Sequence, residues 1–145
     1  MPKNLYTAEA TVTGGRIAGH GRTTDGALEV DIRIPKELGG DGGGTNPEQL
    51  FAVGYAACFE SALTTVAMRR KVETGETSID SRVHLRPTEE RGFGIAVELD
   101  VTLPGIEDAE AAAELVRTAH KVCPYSNATR GNIEVVLTAN GRPVD

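Results

Sequence analysis

From Leu50 to Phe59 the chain reads Leu-Phe-Ala-Val-Gly-Tyr-Ala-Ala-Cys-Phe, a run without one charged residue. The residues just before it mark a helix start. Asn46 is a good N-cap, Pro47 suits the first helical position, and Gln49 stands where a capping-box partner would. Glu48 in the first turn and Arg69, Arg70 and Lys71 at the far end match the helix dipole. A helix that is apolar all round has to be covered all round. A chain of 145 residues has little material to cover it alone. The pattern therefore predicts a buried central helix completed by a second subunit.

Around this helix the period changes from helical to strand-like. Leu28, Val30, Ile32 and Ile34 alternate with polar residues until Pro35. Ile95, Val97, Leu99, Val101 and Leu103 alternate with Glu98, Asp100 and Thr102. Ile79, Val83 and Leu85 mark a weaker strand, and Glu89-Glu90-Arg91-Gly92 reads as the turn joining the two. Tyr6 to Val12 and Ile133 to Thr138 read as further strands. A second helix is expected from about Asp108 to Val122, broken by Cys123-Pro124 and followed by a short turn of helix closed near Gly131. Strands, helix, strands, helix, strand spells a single α+β domain over residues 1–145, with antiparallel sheet. The glycine-rich stretch from Gly39 to Gly44 lacks the lysine and spacing of a P-loop, and reads as a flexible connector.

Composition excludes several functions. A net charge of -6 argues against nucleic acid, which needs a concentrated basic face. The N-terminus has no apolar leader core, and no run approaches the roughly 18 apolar residues of a membrane span. The expectation is a cytoplasmic protein with no membrane partner. Two cysteines in a reducing compartment are then either thiols with a task or inert core residues.

Cys58 lies in the apolar half of the first helix, where a free cysteine often serves as a small hydrophobe. Reactivity needs the thiolate, and a free thiol with pKa about 8.5 is only ~3% thiolate at pH 7. Burial raises that pKa, so a reactive Cys58 needs a cation or donor beside it. Cys123 directly precedes Pro124 at a helix start. As an N-cap it would sit where free N–H groups favour a thiolate; the alternative is a helix-breaking Cys-Pro without chemistry. The two cysteines are far apart in sequence, so no CxxC or zinc spacing applies. His20 and His84 have no carboxylate or cysteine at ligand spacing, which predicts no metal site. His120, one turn before Cys123, reads as a surface histidine or, alternatively, a base.

Two long stretches resemble a known family. The run from Thr45 to Phe59 resembles the first cysteine motif of the organic hydroperoxide resistance proteins (Ohr), and the run from Val122 to Asn132, containing Cys123-Pro124-Tyr125-Ser126-Asn127, resembles the second. Gly14-Gly15-Arg16 also fits. The likeness covers essentially the whole chain. The sister osmotically inducible branch (OsmC) shares the Asn-Pro-Glu and Cys-Pro elements, but the wording around both cysteines favours the hydroperoxide branch. The resemblance implies an OsmC/Ohr-like intertwined homodimer with antiparallel sheets around buried central helices. It implies that Cys58 is the peroxidatic cysteine, that Cys123 resolves it, and that Arg16 and Glu48 complete the site. It also implies organic hydroperoxides as substrates, no bound cofactor, and a dihydrolipoyl group, free or on a lipoylated protein, as external reductant.

These roles are chemically coherent. The Cys58 thiolate attacks a peroxide oxygen and becomes a sulfenic acid, and Cys123 displaces water to give a disulfide. Arg16 offers a fork of donors, which Glu48 would fix through a bidentate pair. Phe51, Tyr55 and Phe59 would make an apolar substrate pocket; simple core packing is the alternative. Glu48 and Cys58 are ten residues apart, roughly 15 Å along a helix. One arginine can hardly touch both, so the Glu48 serving a given Cys58 is expected from the partner subunit, or the helix is bent between them. Two other readings remain: a broader osmotically inducible type of peroxidase, and a non-enzymatic dimeric module that binds an acyl ligand.

Overall fold

The computed structural model describes residues 2–145 and divides into two compact units, Met1–Leu50 and Phe51–Asp145. In the first, strands β1 (Ala10–Thr13), β2 (Gly19–Thr23) and β3 (Glu29–Ile32) form an antiparallel sheet in the order β1-β2-β3. The expected strand from Tyr6 starts only at Ala10. β2 has no counterpart in the sequence reading. Its inner positions, Gly19 and Gly21, carry no side chain to produce an alternation. Ile32 lies against both: a Cβ at Gly19 would stand 2.9 Å from Ile32 Cβ, with the Gly15 carbonyl oxygen closer still, and one at Gly21 would stand 3.7 Å from Ile32 Cδ1, behind Val12 Cγ2 at 3.4 Å.

The glycine-rich stretch is not a free connector. After a 3-10 turn (Lys36–Leu38), Gly40 and Gly42 donate their N–H groups to the carbonyls of Pro35 and Ile34. Thr45 and β3 then exchange bonds, Thr45 N–H to the Asp31 carbonyl and Arg33 N–H to the Thr45 carbonyl. This ties the residue before the helix cap to the sheet. The Asn46 side chain accepts from the Gln49 N–H at 2.9 Å, as an N-cap should. Gln49 does not reciprocate to the Asn46 backbone; its Oε1 accepts the Thr45 hydroxyl at 2.8 Å.

Helix α1 (Pro47–Arg69) begins in the first unit and continues through the second. In the second unit, β4 (Ser78–Pro87) and β5 (Phe93–Thr102) form a hairpin paired over ten residues, with the turn where expected. Arg91 takes the left-handed conformation in that turn (φ 66°). Helices α2 (Ala109–Val122) and α3 (Pro124–Thr129) follow, then β6 (Val135–Ala139) and β7 (Arg142–Val144), the last not foreseen. The sheet order is β4-β5-β6-β7, and β6 runs parallel to β5. Among the described residues, the expected antiparallel pairing holds for the other strand pairs, and this pair alone departs from it. A parallel neighbour requires a long crossover, and α2 with α3 supplies it. The sheet is mixed; the α+β class stands.

The core of this unit is a sandwich of one helix stripe and one sheet face. Tyr55, Phe59, Leu63 and Val66 recur at helical spacing along α1, and Val97, Leu99 and Val101 at strand spacing along β5, with Leu103 just past its end. Leu115, Val116 and Ala119 of α2 close it. The opposite strand face carries a polar ladder. Arg82 donates to Asp100 at 2.5 Å, His84 pairs with Glu98 at 2.6 Å, and Thr138 donates to Asp100 at 2.9 Å.

The chain covers only part of α1. Val53 is 71% exposed and Met68 78%, on the side away from the buried stripe. α1 also has the length and hydropathy of a membrane-crossing helix, contrary to the sequence scan. Its stripe from Tyr55 to Ala67 is nevertheless part of the core.

Candidate active site

Cys58 and Cys123 meet within the second unit. Cys58 projects from the middle of α1 and is half-buried; Cys123 is fully buried at the joint between α2 and α3. Both are free thiols, and they lie close enough for Cys123 to raise the Cys58 pKa. Cys123 caps α3 as predicted, but its side chain makes no capping bond. The free N–H at the start of α3 acts on the other cysteine: the Tyr125 amide lies beside Cys58 and lowers its pKa. A backbone donor aimed at a sulfur favours its anion. Here burial is the larger effect and pushes the Cys58 pKa up, against the Tyr125 amide, while the bond to Cys123 also favours the protonated form.

The ring of Tyr125 packs beside this contact. It lies 5.6 Å from both Phe51 and Tyr55, centroid to centroid, and Phe51 meets Tyr55 edge-on at 6.0 Å. Gly54 makes room for it. A Cβ there would stand 2.8 Å from the Tyr125 hydroxyl, closer than carbon and oxygen tolerate. Of the three residues expected to line a pocket, Tyr55 and Phe59 are fully buried in the core and Phe51 is half-buried. Tyr125, which sequence reasoning passed over as a side chain, is the aromatic residue at the surface. Its signal was its place one residue after Cys-Pro, in the first turn of a helix.

A buried polar cluster lies under α3. The Tyr55 hydroxyl is 2.8 Å from Ser126 Oγ and 3.2 Å from Thr129 Oγ1, and His120 Nδ1 is 2.8 Å from the same Ser126 Oγ. His120 is thus half-buried and bonded, not a bare surface histidine. Burial, then the nearby Arg130 charge, lowers its pKa, so it is neutral at pH 7. Arg130 itself donates to the Asn127 side chain and to the His120 carbonyl, bridging α2 and α3. The sequence signal for this cluster was Ser126, a polar residue one helical turn beyond Cys123.

In the first unit, Arg16 and Glu48 form an ion pair. Arg16 lies on the β1–β2 connection, reached through Gly14 at φ 77°, where a Cβ would run into the Ala18 carbonyl. Its Nη1 alone reaches both carboxylate oxygens, at 2.9 and 3.1 Å. This is one nitrogen chelated by a carboxylate rather than the expected fork-to-fork pair. Among the described residues, Nε and Nη2 meet no protein acceptor. Glu48 is the more buried partner, in the first turn of α1.

His20, thought to lack carboxylate neighbours, has two. Sheet pairing brings Asp31 to Nδ1 at 3.0 Å and Glu29 to Nε2 at 2.8 Å, and these bonds raise its pKa, that to Asp31 most. Sequence spacing could not show this, because the neighbours lie across the β2–β3 ladder. His84 likewise finds Glu98 across the β4–β5 ladder. Among the described residues, no three His, Cys, Asp or Glu side chains gather as a metal cluster.

The profile of the OsmC-like protein family matches residues 40–138, a span holding both cysteines. An organic hydroperoxide resistance protein of Xanthomonas axonopodis pv. citri is 56% identical over 138 residues, covering 94% of this chain and 95% of the relative. This chain belongs to the organic hydroperoxide resistance branch of the OsmC-like family. OhrB of Bacillus subtilis, an organic hydroperoxide resistance protein, is 48% identical over 92% of this chain and 96% of its own length. The crystal structure of an organic hydroperoxide resistance protein from Elizabethkingia anophelis superposes with a TM-score of 0.90 at 52% identity, covering 94% of this chain and 97% of that one. The Ohr fold thus accounts for the element order, including the parallel strand the sequence did not show.

Proposed function

We propose that this protein is a thiol peroxidase that reduces organic hydroperoxides to alcohols. The observation that carries the proposal is the pairing of two free thiols, Cys58 and Cys123, with the Tyr125 amide beside Cys58. The Cys58 thiolate attacks the terminal oxygen of ROOH, the O–O bond breaks, and the alkoxide leaves and takes up a proton as ROH. Cys58 is then a sulfenic acid, two electrons more oxidised. Cys123 sulfur attacks it, a disulfide forms, and the hydroxyl leaves as water with the Cys123 proton. A dihydrolipoyl dithiol returns both cysteines to thiols by exchange.

Burial alone leaves too little thiolate on Cys58, so the reading requires a cation. Arg16 is the residue proposed for it, held by Glu48 and with donors to spare. Glu48 and Cys58 stand roughly 15 Å apart along an ideal helix, so the pair acting on a given Cys58 is proposed to come from a second copy of the chain. The uncovered apolar side of α1 at Val53 supports such a homodimer.

The test is consumption of cumene hydroperoxide with dihydrolipoamide by wild type and by Cys58→Ser and Cys123→Ser. Turnover by wild type, none by Cys58→Ser, and oxidised Cys58 accumulating in Cys123→Ser is the expected pattern. The raised Cys58 pKa favours one rival, an acyl-binding module with inert cysteines. An inactive wild type with both thiols reduced would decide for it.

A further inference from the structure

The cluster Tyr55–Ser126–His120–Thr129 has no part in the chemistry above, yet it fastens the short helix that carries both the resolving sulfur and the Cys58 donor. Its donor order follows from counting hydrogens. A hydroxyl has one hydrogen to give. Thr129 Oγ1 gives its own to the Ser126 carbonyl at 3.3 Å. The 3.2 Å contact to Tyr55 is then a donation by Tyr55. Tyr55, having given its hydrogen, accepts at 2.8 Å from Ser126. Ser126, having given its hydrogen, accepts at 2.8 Å from His120, which must carry a proton on Nδ1. The reverse order leaves the Thr129–Ser126 contact without a hydrogen. All four contacts hold only if the chain runs from His120 through Ser126 and Tyr55 to Thr129.

We propose that Ser126, oriented by Nδ1–H of His120, is a positioning residue for the resolving step: it locks α3 to α1 and so holds Cys123 at striking distance from Cys58. Ser126 is one turn from Cys123 on the same backbone, and Tyr55 is one turn from Cys58 on α1. A bond between Ser126 and Tyr55 therefore spans the same two elements as the bond between the sulfurs. Ser126 touches neither the sulfurs nor a peroxide and acts only through this fixation. The inference rests on the peroxidase reading.

The donor order makes a pH statement. Nδ1–H is present in the neutral tautomer and in the imidazolium alike, so protonating His120 leaves the lock closed. The charged and carboxyl groups around it must be counted as well. On its own side, Arg130 is the charge acting on His120, and its α1 neighbour is the uncharged Phe59 ring, at 6.5 Å.

The experiment separates the two oxidation steps. Reduced protein is mixed with one equivalent of cumene hydroperoxide, and Cys58 sulfenic acid and the disulfide are followed by rapid quench and mass spectrometry. In Ser126→Ala, disulfide formation should slow roughly tenfold, the effect of losing about one buried hydrogen bond, while sulfenic acid formation, which depends on α3 only through the Tyr125 amide, should slow by clearly less. More Cys58 should then proceed to sulfinic acid under excess peroxide. His120→Asn, whose side-chain N–H can stand in for Nδ1–H, should keep the resolving rate, and His120→Ala should lose it. These two carry the test if Ser126→Ala does not fold. The ratio of the wild-type resolving rate to that of His120→Asn, in which the pH dependence of the thiol chemistry itself cancels, should stay flat as pH falls through the histidine range. Equal slowing of both steps, a normal resolving rate in Ser126→Ala, or a ratio to His120→Asn that falls as His120 is protonated would each overturn the inference. A wild type that forms no sulfenic acid at all would instead remove the peroxidase reading beneath it.

Discussion

Gly54→Ala pulls apart two things Tyr125 does: its ring packs on α1, and its amide serves Cys58. The added Cβ would lie 2.8 Å from the Tyr125 hydroxyl oxygen, 3.3 Å from Cζ and 3.5 Å from Cε2. Ordinary contact needs about 3.5–4.0 Å, so the ring must move about 1 Å or more. It can do so, because it sits at the surface, whereas α1 is held by its buried stripe. Losing the stacking on Phe51 and Tyr55 costs about 0.5–1.5 kcal/mol for each pair. Alanine inside a helix returns about 1 kcal/mol over glycine. The net loss is then about 2 kcal/mol at most, or roughly 4–8 °C in Tm for a chain of this size. Urea denaturation and thermal melting give that figure, and ring proton shifts of Phe51 and Tyr125 report the displacement. Iodoacetamide labelling of Cys58 should stay within about twofold of wild type, because the α3 backbone is pinned through Ser126. A loss beyond about 4 kcal/mol would refute the reasoning, since it would mean that the helix rather than the ring gives way. So would unmoved ring resonances.

Asn46→Ala removes the cap on the Gln49 N–H and should cost about 1 kcal/mol by urea denaturation, with Asn46→Asp close to wild type. Arg16→Ala should slow Cys58 oxidation by peroxide at least about tenfold at pH 7, the effect of one pKa unit on the thiolate; stopped-flow oxidation at wild-type speed would remove Arg16 from the site. On the β4–β5 ladder, the pKa of Glu98 is depressed by His84 and then Arg82, and that of Asp100 by Arg82 and then Thr138. Depressed carboxylates stabilise the fold above their unfolded pKa, and that stability is lost as pH falls through the folded value. Arg82→Met should therefore be less stable than wild type at neutral pH, and the gap should close below about pH 4. A gap that stays constant from neutral to acid would show that Arg82 acts by packing its stem.

The parts legible in the sequence were those with a strong local period or a local cap. Asn46 and the uncharged run fixed α1, and the alternation from Ile95 to Leu103 fixed β5. β2 was invisible because Gly19 and Gly21 leave one face without side chains. The direction of β6 was invisible because a strand's own pattern does not record which neighbour it joins. Both cysteines were singled out from type, setting and resemblance. Their contact, the Tyr125 amide on Cys58 and the carboxylates on His20 were not legible, because each joins residues that only tertiary pairing brings together. Ser126 was missed for the same reason: a serine after Cys-Pro-Tyr reads as a turn residue until Tyr55 is found beneath it.

The parallel pairing of β5 with β6 also bears on when the two cysteines can come together. Cys123 lies inside the crossover that such a pairing demands, so its approach to Cys58 and the docking of β6 close overlapping stretches of the chain. Long-range parallel pairs are among the slower contacts a chain forms. A chain in which the crossover has not yet closed therefore holds two separate thiols, and the pair proposed to react is assembled together with this part of the fold.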